Sequence, residues 1–446
     1  MRQRLSEETV LFLSIMKWIS IASAVGVLIG VSTAGFLLIL ERSIAQMRVV
    51  DYHFFLLPMG MLVSVLVTQR LAPGAAGHGT EKVIKAVHEN SGRIPLAVAP
   101  IKLVTTVVTI ALGGSAGKEG PCAQIGATLA SKFADIFHFN DTDRKKVVIC
   151  GISAGFASVF GTPVAGAVFG VEVLFVGEML YDVLLPSFVA GMISFHTTAG
   201  LGVKYGAYTP VAMPINDNLF LAKVIAAGIL FGLCSFMLVE ALAFGKYLSE
   251  KSSLRKSLKA VLGGFLLCAL GLAFGTRYLG LGVETVGAAL AGESVPRCAF
   301  FLKAVFTSIT LNTGGSGGIV TPIFFTGATA GSAFGDLLNV ERSTMAAIGL
   351  TSLLAGATNT PIASSIMFIE LFGPAVAPYA ALSCVISYIM TGHRSVYPSQ
   401  VLAVKKSGSI RVEIGKEISG IMPAIDRPDG DNNGPDNLNL RDTINR

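Results

Sequence analysis

Gly113-Gly114-Ser115-Ala116-Gly117-Lys118-Glu119-Gly120-Pro121 sets a lysine and a glutamate between two apolar runs, residues 101–112 and 122–132. Ionisable side chains at lipid depth are costly, and where they occur they mark function by default. The glycines leave backbone N–H groups bare, and Pro121 suits the first turn of a helix. The product is a helix N-terminus whose positive end faces a small anion. Glu119 lies at that end, so its own carboxylate can take the place of the anion. The competing reading is a tight turn whose charges reach the membrane interface.

The rest of the chain agrees with a membrane setting. Of 446 residues 52% are hydrophobic and 14% charged, whereas soluble domains carry about 25% charged residues. The composition therefore predicts an all-α polytopic membrane protein and excludes a soluble enzyme or a nucleic-acid binder. Its formal charge of +6 comes from lysines and arginines in loops, as suits an anionic leaflet. The first apolar run, residues 9–40, is too long for a signal peptide and has no cleavage site. Cys122, Cys150, Cys234, Cys268, Cys298 and Cys384 stand singly in apolar segments and are expected as free core thiols.

Outward from the motif, the chain reads as two membrane halves, 1–217 and 218–403, and a polar tail, 404–446, expected to be disordered. The charged block 141–146 and the basic stretch carrying Lys246, Lys251, Arg255, Lys256 and Lys259 are expected as loops. Residues 147–175 are apolar but broken at Gly161-Thr162-Pro163. The halves repeat: Thr162, Pro163, Ala165 and Glu172 recur as Thr360, Pro361, Ala363 and Glu370, an offset of 198. Gly120-Pro121 and Gly126-Ala127-Thr128 match Thr321-Pro322 and Gly327-Ala328-Thr329, an offset of 201. Paired broken helices in two halves point to a substrate site near the midplane.

Gly77-His78-Gly79, Gly117 to Pro121 and Gly317 to Pro322 each precede what reads as a short helix. Three helix N-termini meeting near the midplane bind an anion without a fixed full charge, which favours fast passage. With these motifs in hand, the chain resembles the CLC family of chloride channels and proton-coupled chloride antiporters over residues 9–403. Gly117-Lys118-Glu119-Gly120-Pro121 is similar to that family's GREGP-type motif with Lys for Arg. Gly318-Ile319-Val320-Thr321-Pro322 is similar to its GIFAP-type motif, and Gly77-His78-Gly79 to its GSGIP-type motif. Tyr397 sits where the family places a pore tyrosine. The resemblance implies a fold of tilted and broken helices, two halves of inverted topology, and a homodimer with one anion pathway per subunit. It implies Glu119 as the gate, with His78, Gly117, Lys118, Gly120, Ile319, Val320 and Tyr397 around the anion. It also implies a multi-pass protein of the cell membrane with both termini cytoplasmic. No cofactor or metal is expected; the cargo is chloride or another halide, and protons are a candidate second cargo.

The sequence departs from the pattern in three places. His78 replaces the usual pore serine; a neutral imidazole can donate one N–H, a cationic one would hold the anion harder, and a ring turned to the aqueous vestibule is the plainer alternative. Val173 stands where the family's antiporters often carry an inner glutamate, and Glu172 beside it reads as a carboxylate capping nearby backbone. Residues 171–191 look like the family's fluoride-exporting branch, but that branch has an acid at the Ile319 position. These features favour a gated chloride channel, with a proton-coupled chloride or fluoride antiporter as the alternative. A nucleotide-binding enzyme is disfavoured: a P-loop needs glycine at Leu112 and Ser or Thr at Glu119.

Overall fold

The computed structural model describes residues 2–206, 218–421 and 424–425. The first half contributes α1 (Arg2–Arg48), α2 (Leu57–Leu71), α3 (Gly79–Glu89), α4 (Val98–Ala111), α5 (Glu119–Ile136), α6 (Asp141–Phe160), α7 (Pro163–Glu172) and α8 (Leu184–Gly200). The second contributes α9 (Phe220–Lys251), α10 (Lys256–Phe274), α11 (Val283–Leu290), α12 (Ala299–Thr313), α13 (Val320–Leu338), α14 (Arg342–Thr358), α15 (Pro361–Phe372) and α16 (Ala377–Met390). Element by element the second series restates the first. Among the described residues five helices are long and apolar enough to cross a membrane, including Glu7–Arg48 and Phe220–Lys251. On α10, Leu262, Phe265, Leu266 and Leu272 are exposed, a face that suits lipid rather than water. By contrast α5 and α13 are enclosed along most of their length, packed on α6 and α14.

The halves are joined by hydrogen bonds given and returned between equivalent positions. Gly117 N–H donates to Gly318 O at 2.7 Å, and Gly318 N–H donates to Gly117 O at 2.6 Å. Ser115 N–H donates to the Thr310 hydroxyl and Ser316 N–H to the Thr109 hydroxyl, both at 3.1 Å. Glu172 accepts from Ile362 N–H (3.0 Å) and Ala363 N–H (2.8 Å) at the start of α15. Glu370 accepts from Val164 N–H (3.0 Å) and Ala165 N–H (2.8 Å) at the start of α7. Such an exchange, in which i contacts j and the counterpart of i contacts the counterpart of j, is the mark of a two-fold relation. Glu172 is thus a capping carboxylate, and the backbone it caps belongs to the other half.

Several local expectations give way. Residues 141–146 are the opening turns of α6 rather than a loop: the Asn140 side chain accepts from Asp143 N–H at 2.8 Å, and Asp141 and Asp143 lie at the positive end of the helix. The basic stretch is also mostly helical, because α9 runs to Lys251 and α10 begins at Lys256; a charge run marks solvent, not the end of a helix. Among the helices behind the glycine loops, α3 is short at 11 residues, but α5 and α13 have 18 and 19. Cys298 is exposed at the start of α12, while the other five thiols are buried. The tail does not leave the body at residue 404. Lys406 Nζ donates to Asn359 Oδ1 at 2.6 Å and Tyr388 O at 2.7 Å, and Ile418 packs with Val176 and Leu402. Sparse apolar residues among polar ones hid this docking. Residues 422–423 and 426–446 of the expected tail, and residues 207–217, lie outside the described residues.

Candidate functional site

Three loops meet where α3, α5 and α13 begin. The backbone of His78 runs parallel beside Gly317, and Gly117 pairs antiparallel with Gly318. A Cβ on Gly79 would stand 2.5 Å from Gly120 O, and one on Gly318 would stand 2.7 Å from Gly120 N. Only glycine admits this approach. The helix starts are therefore in backbone contact, and their bare N–H groups share one small region.

Glu119 occupies that region, 1% exposed. Its Oε1 accepts from the Thr321 hydroxyl at 2.5 Å and its Oε2 from Thr321 N–H at 3.0 Å. The carboxylate of α5 is thus seated on the N-terminus of α13, not on that of its own helix. These are charge-assisted bonds at the positive end of a dipole. A Cβ on Gly117 would come 2.4 Å from Glu119 Oε2 and 2.9 Å from the Thr321 hydroxyl. The seat exists because residue 117 has no side chain.

The other expected residues are placed as follows. Lys118 is the cap residue of α5 and partly exposed. Gly117 N–H is already committed to Gly318 O, which removes it from the expected set of anion donors in this state. Gly120 lies against Gly79 and Gly318. Ile319 caps α13 and Val320 opens it, both buried; the amide that holds the carboxylate is that of Thr321, one position further on. Tyr397 is fully buried, its ring centroid 6.0 Å from that of His78. Among the described residues Tyr397 Oη, Thr80 Oγ1 and His78 Nδ1 have no hydrogen-bond partner in the protein. Buried polar atoms left open in this way suit a polar guest. The His78 ring as a whole is partly exposed, while its Nδ1 is buried. A cleft of 190 Å³ along α3 is bordered by Lys82, Lys85, Glu89, Arg93 and Gln124, and two of its cations are paired, Lys85 with Glu89 and Arg93 with Asp141.

Two contributors escaped the sequence reading. Lys102, fully buried on α4, donates to Ala75 O at 3.2 Å and to Gly77 O, and so fixes the loop that presents His78. Its counterpart Lys303 donates to Tyr278 O (3.1 Å) and Gly280 O (2.8 Å). A lysine inside an apolar run, repeated at the same offset of 201 as the glycine motif, was the available signal. Thr321 was legible only as a repeat match.

Comparisons with known proteins agree with this fold. The model of the voltage gated chloride channel family matches residues 59–392. The chain is 36% identical over 397 residues to a chloride/fluoride channel protein of Pseudomonas syringae pv. tomato, covering 86% of each chain. The crystal structure of a CLC-type fluoride/proton antiporter superposes with a TM-score of 0.83 at 26% identity, over 88% of this chain and 99% of that one. A slow cyanobacterial chloride/proton antiporter shares the fold at TM-score 0.72 and 20% identity, over 84% and 94% of the two chains.

Proposed function

Because the chain belongs to the CLC family of voltage-gated chloride channels and their relatives, we propose that it exchanges a small halide for protons across a membrane, with Glu119 as the moving gate. The observation that carries this reading is the seat of Glu119: ionised, it fills the place where helix N-termini would hold an anion. Protonation removes the charge and most of the attraction, the side chain leaves, and a halide enters. His78, Thr80 and Tyr397 supply side-chain donors for the guest, with the N–H groups of Ile319 and Val320 behind them. Such a donor set suits fluoride as well as chloride, the two ions in the name of the Pseudomonas relative. We read the halves as inverted, the termini as cytoplasmic, and two copies as a homodimer with one pathway each.

A gated passive channel is the second reading, favoured by Val173, which leaves the usual inner acid position apolar. Purified protein in liposomes tests both. With a chloride or fluoride gradient and external pH followed, exchange drives protons uphill; a passive channel moves anions alone. Acid is expected to raise flux, and Glu119→Gln to keep or raise it while removing most of its pH dependence. A folded Glu119→Gln protein with wild-type pH-dependent flux would reduce Glu119 to a structural cap.

A further inference from the structure

With valine at 173, Glu119 is the single carboxylate that the sequence puts on the path, but the fold brings a second carboxylate close to the Tyr397 segment. Glu81 lies in the first turn of α3, three residues after His78. It is partly buried, and its carboxylate accepts from the Ser399 hydroxyl at 2.5 Å and from Ser399 N–H at 3.2 Å. Ser399 is two residues beyond Tyr397, so Glu81 is tied to the segment that carries the pore tyrosine. The helices that bear Glu81 and Glu119 touch at their first turns: the Thr80 hydroxyl is 3.5 Å from where a Cβ on Gly120 would stand. The residues where these turns and the Tyr397 segment meet carry open polar atoms, Thr80 Oγ1, Tyr397 Oη and His78 Nδ1. A site with two to four polar partners is the kind that holds an ordered water. The other charges facing Glu81 are Lys82 on its own helix and Glu417 on the docked C-terminal segment. They are opposite in sign, so neither fixes its protonation state alone.

We propose that Glu81 is the second proton-handling carboxylate of this chain, taking a proton from solvent on its side and passing it through the hydroxyl-lined gap to Glu119. This rests on the exchange reading above. Solvent gives a proton to the Glu81 carboxylate, forming one O–H bond as another breaks. Through a bridging water the same exchange returns Glu81 to its ionised form and neutralises Glu119. Neutral Glu119 leaves Thr321 and gives up its proton on the far side, and the ionised carboxylate returns to its seat.

The test measures protons moved per anion in liposomes under a chloride gradient. Glu81→Gln, which keeps an acceptor for Ser399, is expected to carry anions near the wild-type rate. Its uphill proton movement should fall about 100-fold, the low end of what a positioned proton-transfer group contributes. Ser399→Ala, which removes the hydroxyl donor but keeps the N–H donor and the carboxylate, should keep the wild-type ratio. Glu81→His should restore part of the coupling and move its pH optimum upward, since imidazole titrates near 6.5 and a glutamate near 4.3. A wild-type ratio in Glu81→Gln, or an unshifted optimum in a coupled Glu81→His protein, overturns the assignment to Glu81 alone. A wild-type protein that moves no protons overturns the exchange reading and this proposal with it.

Discussion

At the scale of single residues, the gate is a competition for one seat. Thr321 provides two donors to Glu119, and hydrogen bonds to charged groups contribute about 1.5–3 kcal/mol. Thr321→Val keeps the shape and removes the hydroxyl donor. It should favour the vacated seat by about tenfold to a hundredfold, since about 1.4 kcal/mol is a factor of ten, and half-maximal flux should move to higher pH in liposome titrations. Gly117→Ala acts from the other side: its methyl group would claim the space of Glu119 Oε2. Flux through a folded Gly117→Ala protein should be raised and nearly independent of pH, and a wild-type titration would show that the seat is not the gate. Glu119 and the three glycine loops were legible because charge and glycine are conspicuous in an apolar sequence. Thr321 was not, since a threonine in a membrane helix ordinarily bonds its own backbone. Nor could the sequence say which helix the carboxylate would choose, because that depends on the packing of two halves.

At the scale of elements, the repeat makes controlled comparisons. Lys102 and Lys303 do the same job in equivalent places, each holding two loop carbonyls. The loops differ: one carries His78, the other Leu281. Lys102→Met and Lys303→Met should each cost roughly 1–3 kcal/mol, the penalty for leaving buried acceptors without a donor, read as a lower melting temperature. Only Lys102→Met should also weaken halide binding measured by calorimetry. Equal effects on binding would separate His78 from the anion site. Likewise Glu172→Gln and Glu370→Gln should each lose about 0.5–2 kcal/mol as broken caps while leaving the proton-to-anion ratio intact. A changed ratio in Glu172→Gln would give that residue a transport role. Helix positions were largely readable from apolar runs and Thr-Pro breaks. Helix ends were not, because Asp141 to Lys146 and Lys246 to Lys259 look alike as solvated charge whether the backbone is coiled or helical.

At the scale of the molecule, apolar side chains remain exposed on α8, α15 and α16, including Met192, Ile362, Ile369 and Ile389. In the homodimer proposed above, some of the exposed apolar surface would meet a second copy rather than lipid. Light scattering corrected for detergent should give a protein mass near twice 46.5 kDa, and a mass of one chain would refute the pairing. Cation flux should be absent, because the convergent groups are N–H and O–H donors.

The bonds that Gly117 and Gly318 give each other have a consequence for descent as well as for stability. A half-length chain able to pair with itself across the same axis would satisfy them equally well. In such a pair every change appears twice: two histidines or none, two gating carboxylates or none. Joining the halves into one polypeptide lifts that restriction. Here the equivalents of Glu119 and His78 are Val320 and Leu281, while the lysines, the capping glutamates and the glycine pairing are retained in both halves. The scaffold stayed duplicated, and the chemistry was free to settle in one copy.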